Sequence, residues 1–385
     1  MSEASGGPAA LGVRYGTLTI RVESDDTSHL EWLREFLTPS FVTVDACLSV
    51  PTVRLVTDPA GYAEALGRGA DPGAEDAPCF WQDSGVARLP RWATRRGGRA
   101  FLDRQCHALL SSDAGGTVEI LTSGHGLATR YALMRVVREL AMLEARRQGG
   151  LVLHAAALTV RGRVILIAGP KGAGKTSLLV HLLRASSTQF VANDRAVIPT
   201  IGPSPAVLGL PTIVKLLRGS AERFPDLWDL LTKSTFHHQL TLAEVERAGD
   251  RRAAGPKGVW SLSPAQFCAL VRTDPVAGGP LGAVVFPRLS DAPGRIACRR
   301  LPVAELAAAL TAAQLGSLRG VPPEASVPAW MPEAEPPDAT VRDTGTDEER
   351  CVRLARLVPA FEIRLGPDAY SDVSSASRLL AAVSG

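Results

Sequence analysis

Gly169, Pro170, Lys171, Gly172, Ala173, Gly174, Lys175 and Thr176 carry the clearest chemistry in this chain. They match the pattern G-x-x-x-x-G-K-[ST] at every fixed position. An apolar run at 164–168 precedes them, and a helix-compatible apolar stretch at 177–183 follows. Glycines let the backbone curl so that successive N–H groups aim at phosphate oxygens. A helix N-terminus adds partial positive charge. Lys175 is placed to reach β- and γ-phosphates, and the Thr176 hydroxyl to ligate Mg²⁺. ATP and Mg²⁺ are therefore the expected cofactors, with Gly169 to Thr176 and the adjoining Ser177 as binding residues. The competing explanation is a glycine-rich strand-to-helix turn that binds nothing.

A phosphate cradle does not define a reaction, because transfer also needs a carboxylate near the metal or the attacking group. Asp194 is the candidate. It follows a short apolar strand at 189–192, and a strand–loop–helix–strand order returns that strand end beside the loop. Its role there is general base toward a hydroxyl, or metal ligand. The alternative is a turn aspartate capping the next element. Asn193 can hold a metal-bound water but cannot be a base. Arg195 suits a phosphate or carboxylate partner, or the surface. His154 lies on a strand expected to pair with the loop strand. An imidazole there can orient an acceptor or stabilise transferred charge, although an apolar strand also accepts a histidine as a core residue. The catalytic candidates are thus Asp194, His154 and Lys175, and the metal candidates Thr176, Asp194 and Asn193. Lys215 sits inside an apolar run, where it either reaches phosphate or, as the pattern favours, snorkels to the surface.

The elements that position these residues follow from periodicity. Residues 151–160 and 163–168 are strand-like runs around Arg161-Gly162, which predicts a β-hairpin. The loop strand then has an antiparallel neighbour, so the sheet is mixed rather than purely parallel. A broad apolar stripe at 127–147 predicts a long helix stopped by Gly149-Gly150. Strands are expected at 15–23, 101–110, 117–121, 282–286 and 359–365. Helices are expected at 29–37, 234–248, 303–310 and 371–383. Residues 70–76 and 253–257 are expected to be loops. The domain division expected is a flexible tail at 1–12, an N-terminal α+β region at 13–126, and an α/β phosphate-loop domain at 127–319. A Pro- and acid-rich insert follows at 320–349, and 350–385 complete the second domain.

Composition narrows the class. The chain has 385 residues, 45% of them hydrophobic, and a net charge of +3. That is length enough for two or three domains with ample core. Basic doublets are scattered and lack interleaved aromatics, which argues against nucleic acid. Six cysteines show no C-x-x-C spacing, so they read as reduced cytosolic thiols. No signal-peptide pattern and no long apolar run appears. The expectation is a cytoplasmic protein with no membrane partner, and a homo-oligomer is compatible with it. Guanine-reading N-K-x-D, H-E-x-x-H, G-x-S-x-G and L-S-G-G-Q patterns are absent.

The run L-H-A-A-A-L-x-V-x-G-R-x-I-L-I-A-G-P-x-G-A-G-K-T-S, followed by F-V-A-N-D-R, resembles the catalytic domain of HPr kinase/phosphorylase. It resembles more closely the HPr-kinase-related proteins of bacterial biosynthetic clusters, including kinases that modify lasso-peptide precursors. The resemblance covers mainly 128–200, with weaker echoes at 209–216, 282–289 and the closing strand and helix. It implies an HPr kinase/PEP carboxykinase-like fold: a mixed sheet containing the phosphate loop, flanked by helices. It also implies transfer of the γ-phosphoryl group to a hydroxyl, with a serine of a peptide or protein, or a small hydroxylated metabolite, as acceptor. His154 matches the family's upstream histidine, and Asp194 the second of two consecutive acids. Asn193 stands at the first acid and removes one charge. The family's second signature region has no counterpart here, so reverse phosphorolysis is not expected. A small-molecule kinase of the shikimate or nucleotide type, and a nucleotide-binding regulator without catalysis, are the rival expectations.

Overall fold

The computed structural model describes residues 8–46, 50–69, 75–82, 85–94, 99–104, 108–113, 117–124, 126–185, 187–199, 203–248, 258–290, 296–314, 345–370 and 373–384. They are built from large mixed sheets flanked by helices and cluster into two units. The division along the chain falls between Glu144 and Ala145. It therefore lies inside a helix rather than at 126/127.

The first unit carries strands β1 (Ala9–Tyr15), β2 (Leu18–Ser24), β3 (Val42–Val44), β4 (Thr52–Thr57), β5 (Glu75–Gln82), β6 (Gly85–Ala93), β7 (Arg99–Asp103), β8 (Ala108–Ser112) and β9 (Val118–Thr122). Helices α1 (Thr27–Leu37), α2 (Pro59–Arg68) and α3 (Leu127–Arg147) accompany them. The nine strands form one sheet in the order β3-β1-β2-β4-β9-β8-β7-β6-β5. Pairing is parallel at β2–β4 and β4–β9. The strand expected at 15–23 is broken at Gly16, whose φ of 57° suits a tight turn. The preceding strand takes in Ala9–Tyr15, so part of the expected tail is sheet. Helix α3 ends as expected, with Gly149 at a φ of 78° and the Gly150 amide donating to the Ala145 carbonyl.

In the second unit, β10 (Leu151–Val160) and β11 (Arg163–Ala168) form the hairpin that the pattern predicts. After β11 come α4 (Lys175–Leu183), β12 (Thr188–Ala192), β13 (Arg195–Ile198), β14 (Ala206–Leu210) and β15 (Val214–Leu217). Short helices α5 (Arg218–Ala221), α6 (Pro225–Lys233) and α7 (Leu242–Ala248) lead to β16 (Val259–Leu262) and α8 (Pro264–Val271). The unit closes with β17 (Gly278–Leu289), β18 (Ala297–Arg300), α9 (Val303–Ala313), α10 (Asp347–Leu357), β19 (Ala360–Leu365) and α11 (Val373–Ser384). Strand β11 lies between antiparallel β10 and parallel β17. On its other edge β10 pairs with β12 and then β13, both antiparallel.

Side-chain alternation sorts the strands of this unit between two cores. Ala156, Leu158, Val160, Ile165 and Ile167 pack with Leu178, Leu179 and Leu182 of α4. Leu151, Leu153, Ala155, Val164 and Leu166 pack with Leu306 and Leu310 of α9 and Leu354 of α10. Both faces of β10 and β11 are covered, which is why these strands read as near-continuous apolar runs.

The helix expected at 234–248 begins only at Leu242. Thr241 and Glu244 form a capping box: the Glu244 amide donates to Thr241 Oγ1, and the Thr241 amide donates to Glu244 Oε2. A second capping box, Thr346 with Glu349, starts α10 inside the expected 320–349 insert. Residues 253–257 and 320–344 lie outside the described residues.

Candidate active site

Strand β11 ends at Ala168, and the glycine-rich loop runs from Gly169 into α4. Gly174 precedes the helix with a φ of 96°. A Cβ there would also stand 3.0 Å from Leu289 Cδ2. The backbone conformation at position 174 therefore favours glycine, and a side chain there would also press on Leu289. Helical bonding starts with the Leu178 amide donating to the Gly174 carbonyl. The amides of Lys175, Thr176 and Ser177 have no acceptor within the helix and are available at its positive end.

Lys175 is only 8% exposed. Its ammonium crosses the loop, donating to the Gly169 carbonyl at 2.7 Å and the Pro170 carbonyl at 3.2 Å. Burial lowers the Lys175 pKa below the ordinary lysine value, and the nearby Asp194 carboxylate opposes that shift. The two groups thus lie within electrostatic reach of each other. Lys171 is exposed and Thr176 half-buried. The Ser177 hydroxyl donates to Ser220 Oγ of α5 at 3.2 Å, so its contribution at the loop is through its backbone.

Asp194 reaches the loop by a different route from the one expected. The sequence order suggests that β12 lies directly beside β11, but β10 stands between them. The edges of β11 are taken by β10 and β17, which leaves β12 the free edge of β10. Being antiparallel to β10, β12 still runs in the same sense as β11. Its end therefore faces the same way as the loop, roughly 10 Å away, or two strand spacings. His154 fills that gap. It stands opposite Arg195 in the β10–β13 ladder. Alternation with Ala156 and Leu158 puts it on the α4 face of the sheet.

His154 Nε2 lies 2.8 Å from Asp194 Oδ1. Arg195 Nε is 3.8 Å from Asp194 Oδ2. The His154 and Asp194 side chains are 37% and 40% exposed, whereas that of Arg195 is 6% exposed. An imidazole donating from Nε2 fixes one carboxylate oxygen and leaves the carboxylate open to a further donor. Arg195 is a buried neighbour of Asp194, not a surface residue. Lys215 is exposed on β15, as expected for a snorkelling lysine.

Asn193, one of the expected metal candidates, is bonded within the protein. It is 8% exposed. Its Nδ2 donates to the Ile213 carbonyl at 3.1 Å, and its Oδ1 accepts from Thr212 Oγ1 at 2.9 Å. The amide ties the strand end to the 212–213 segment. Asn193→Asp is therefore expected to weaken the fold by about 1–3 kcal/mol, because the Ile213 carbonyl loses its donor and meets a buried carboxylate. Urea unfolding at pH 7 measures this, and an unchanged midpoint would refute the assignment.

Among the described residues, no group of three or more His, Cys, Asp or Glu is placed to hold a metal. Thr176 and Asp194 supply oxygen donors of the kind Mg²⁺ prefers, and Mg²⁺ ordinarily takes its other ligands from phosphate and water. Leu289, Ser220 and Thr212 escaped sequence reasoning. Each acts by packing or bonding against a motif residue from far along the chain or from an unremarkable stretch. No helix among the described residues is long and apolar enough to cross a membrane. No family model matches this chain, and no curated protein matches it.

Proposed function

We propose that this chain is an ATP- and Mg²⁺-dependent phosphotransferase of HPr-kinase-like fold, acting on the hydroxyl of a peptide or protein serine. The supporting observation is the convergence at one sheet end of the Lys175 loop and the His154–Asp194 pair, bonded at 2.8 Å. The amides of 175–177 and the Lys175 ammonium hold the phosphates and stabilise transferred charge. Thr176 and Asp194 offer the metal its protein oxygens, and the metal neutralises phosphate charge when bound. Asp194 accepts the proton of the attacking hydroxyl while His154 orients the carboxylate. The acceptor oxygen bonds to the γ-phosphorus, the bond from that phosphorus to the β–γ bridging oxygen breaks, and ADP leaves.

Mass spectrometry of the full chain with Mg-ATP and a panel of serine peptides and hydroxylated metabolites tests this reading. The expected result is one added phosphoryl group on an acceptor, lost in Lys175→Met. A small-molecule acceptor would move the assignment to a metabolite kinase. The structural commitment of Asn193 leaves a single carboxylate at the strand end, which favours a second reading as a nucleotide-binding regulator. Saturable ATP binding with neither transfer nor hydrolysis would establish that reading and sink the first.

A further inference from the structure

A cavity of about 640 Å³ opens at the far end of α4, away from the glycine-rich loop. Nine residues of helix separate the two ends, roughly 13 Å. The residues lining the cavity all lie outside the glycine-rich loop. The cavity wall is predominantly polar. Arg161 and Gly162 come from the β10–β11 turn, Arg184 from the end of α4, and Arg272, Thr273 and Asp274 from the end of α8. Three arginines thus face one aspartate.

Arg161 and Arg272 share a second property. Their φ values are 50° and 57°, and they are the two non-glycine residues with positive φ among the described residues. This region is disfavoured for L-residues and is usually filled by glycine or asparagine. The hairpin turn at 161–162 is of the kind that ordinarily carries Asn-Gly. Arginine gains nothing conformationally at either site, so its side chain is what the position uses.

Helix capping does not account for these charges. At the end of α4, the Leu182 and Ala185 carbonyls accept from Thr188 Oγ1, and the Leu182 carbonyl also accepts from the Ala185 amide. At the end of α8, the Cys268 carbonyl accepts from the Arg272 and Thr273 amides. Arg184 is 3.3 Å from Asp226 and lies over the Phe224 ring, so its charge is partly engaged. Arg161 and Arg272 are exposed and meet no carboxylate within ion-pair distance among the described residues. Two exposed arginines lining one polar cavity suit bidentate recognition of a small, multiply charged anion.

We infer that this cavity binds such an anion, with Arg161 and Arg272 as its principal ligands. The inference does not rest on the transfer reading. Calorimetric titration of inorganic pyrophosphate tests it, with citrate in parallel to separate phosphoryl from carboxylate chemistry. Ionic strength is held near about 0.15 M to screen diffuse attraction. The full-length Lys175→Met chain serves as background, so that loop binding is weakened. Adding Arg161→Gly and Arg272→Gly relieves the backbone, so these changes are expected to leave the melting temperature unchanged or raised. They are expected to weaken pyrophosphate roughly tenfold or more per arginine. A parallel loss for citrate extends the site to carboxylates, while a loss confined to pyrophosphate restricts it to phosphates. Equal pyrophosphate affinity with and without the two arginines, or no saturable binding of either anion, overturns the inference.

Discussion

Asp194→Asn is expected to bind ATP about as well as the native chain and to transfer phosphoryl groups at least about 100-fold more slowly. The substitution keeps shape and keeps an oxygen for the His154 Nε2 donor, now 2.8 Å from Asp194 Oδ1. It removes only the capacity to take a proton and the negative charge toward the metal. Single-turnover rates and equilibrium binding separate these effects. Transfer within a few-fold of the native rate would show that Asp194 is a structural turn residue. His154→Gln discriminates further. If the imidazole only orients the carboxylate, its loss is expected to cost roughly tenfold, well short of the Asp194→Asn effect. If the two losses are equal, the imidazole takes the proton and Asp194 orients it.

Lys175→Met is expected to abolish ATP-dependent stabilisation without lowering the stability of the free protein. The ammonium is 8% exposed and held by two carbonyls. Its pKa lies below the ordinary lysine value because burial disfavours the charged form. A folded pKa below the unfolded one means that burying the charged form opposes folding. Methionine removes that penalty and keeps the apolar stem. At ligand 100-fold above its Kd, the native chain is expected to gain about 2.7 kcal/mol. With affinity lowered about 100-fold, the variant gains under about 0.5 kcal/mol. Thermal melts with and without Mg-ATP read both quantities. An equal ATP-linked rise in the two proteins would remove Lys175 from the binding site.

The hairpin and α3 were legible because their signals are local. Unbroken apolar runs flank Arg161-Gly162, and a broad stripe ends at paired glycines. Asp194 was placed at the correct sheet end because strand direction follows from connectivity. Its immediate neighbour was not legible, because that depended on β17, more than a hundred residues later, taking the other edge of β11. The structural role of Asn193 was hidden for a related reason: its partners, Thr212 and Ile213, carry no distinguishing pattern. The late start of α7 was readable in principle, since Thr241 and Glu244 have capping-box spacing. Arg161, Arg184 and Arg272 are scattered in sequence, and only the folded chain brings them around one cavity.

Because β10 carries β11 on one edge and β12–β13 on the other, every residue proposed for transfer lies in one uninterrupted ribbon from His154 to Asp194. Only short closures are needed to bring these groups together. The long closure in the neighbourhood is that of β17, which sets Leu289 against the loop at Gly174. The entropic cost of such a closure grows only logarithmically with length. Loops between β13 and β17 that leave β14, Thr212, Ile213 and Ser220 in place can therefore change length while the reacting groups keep their spacing, so recognition elements there can diversify independently of the chemistry.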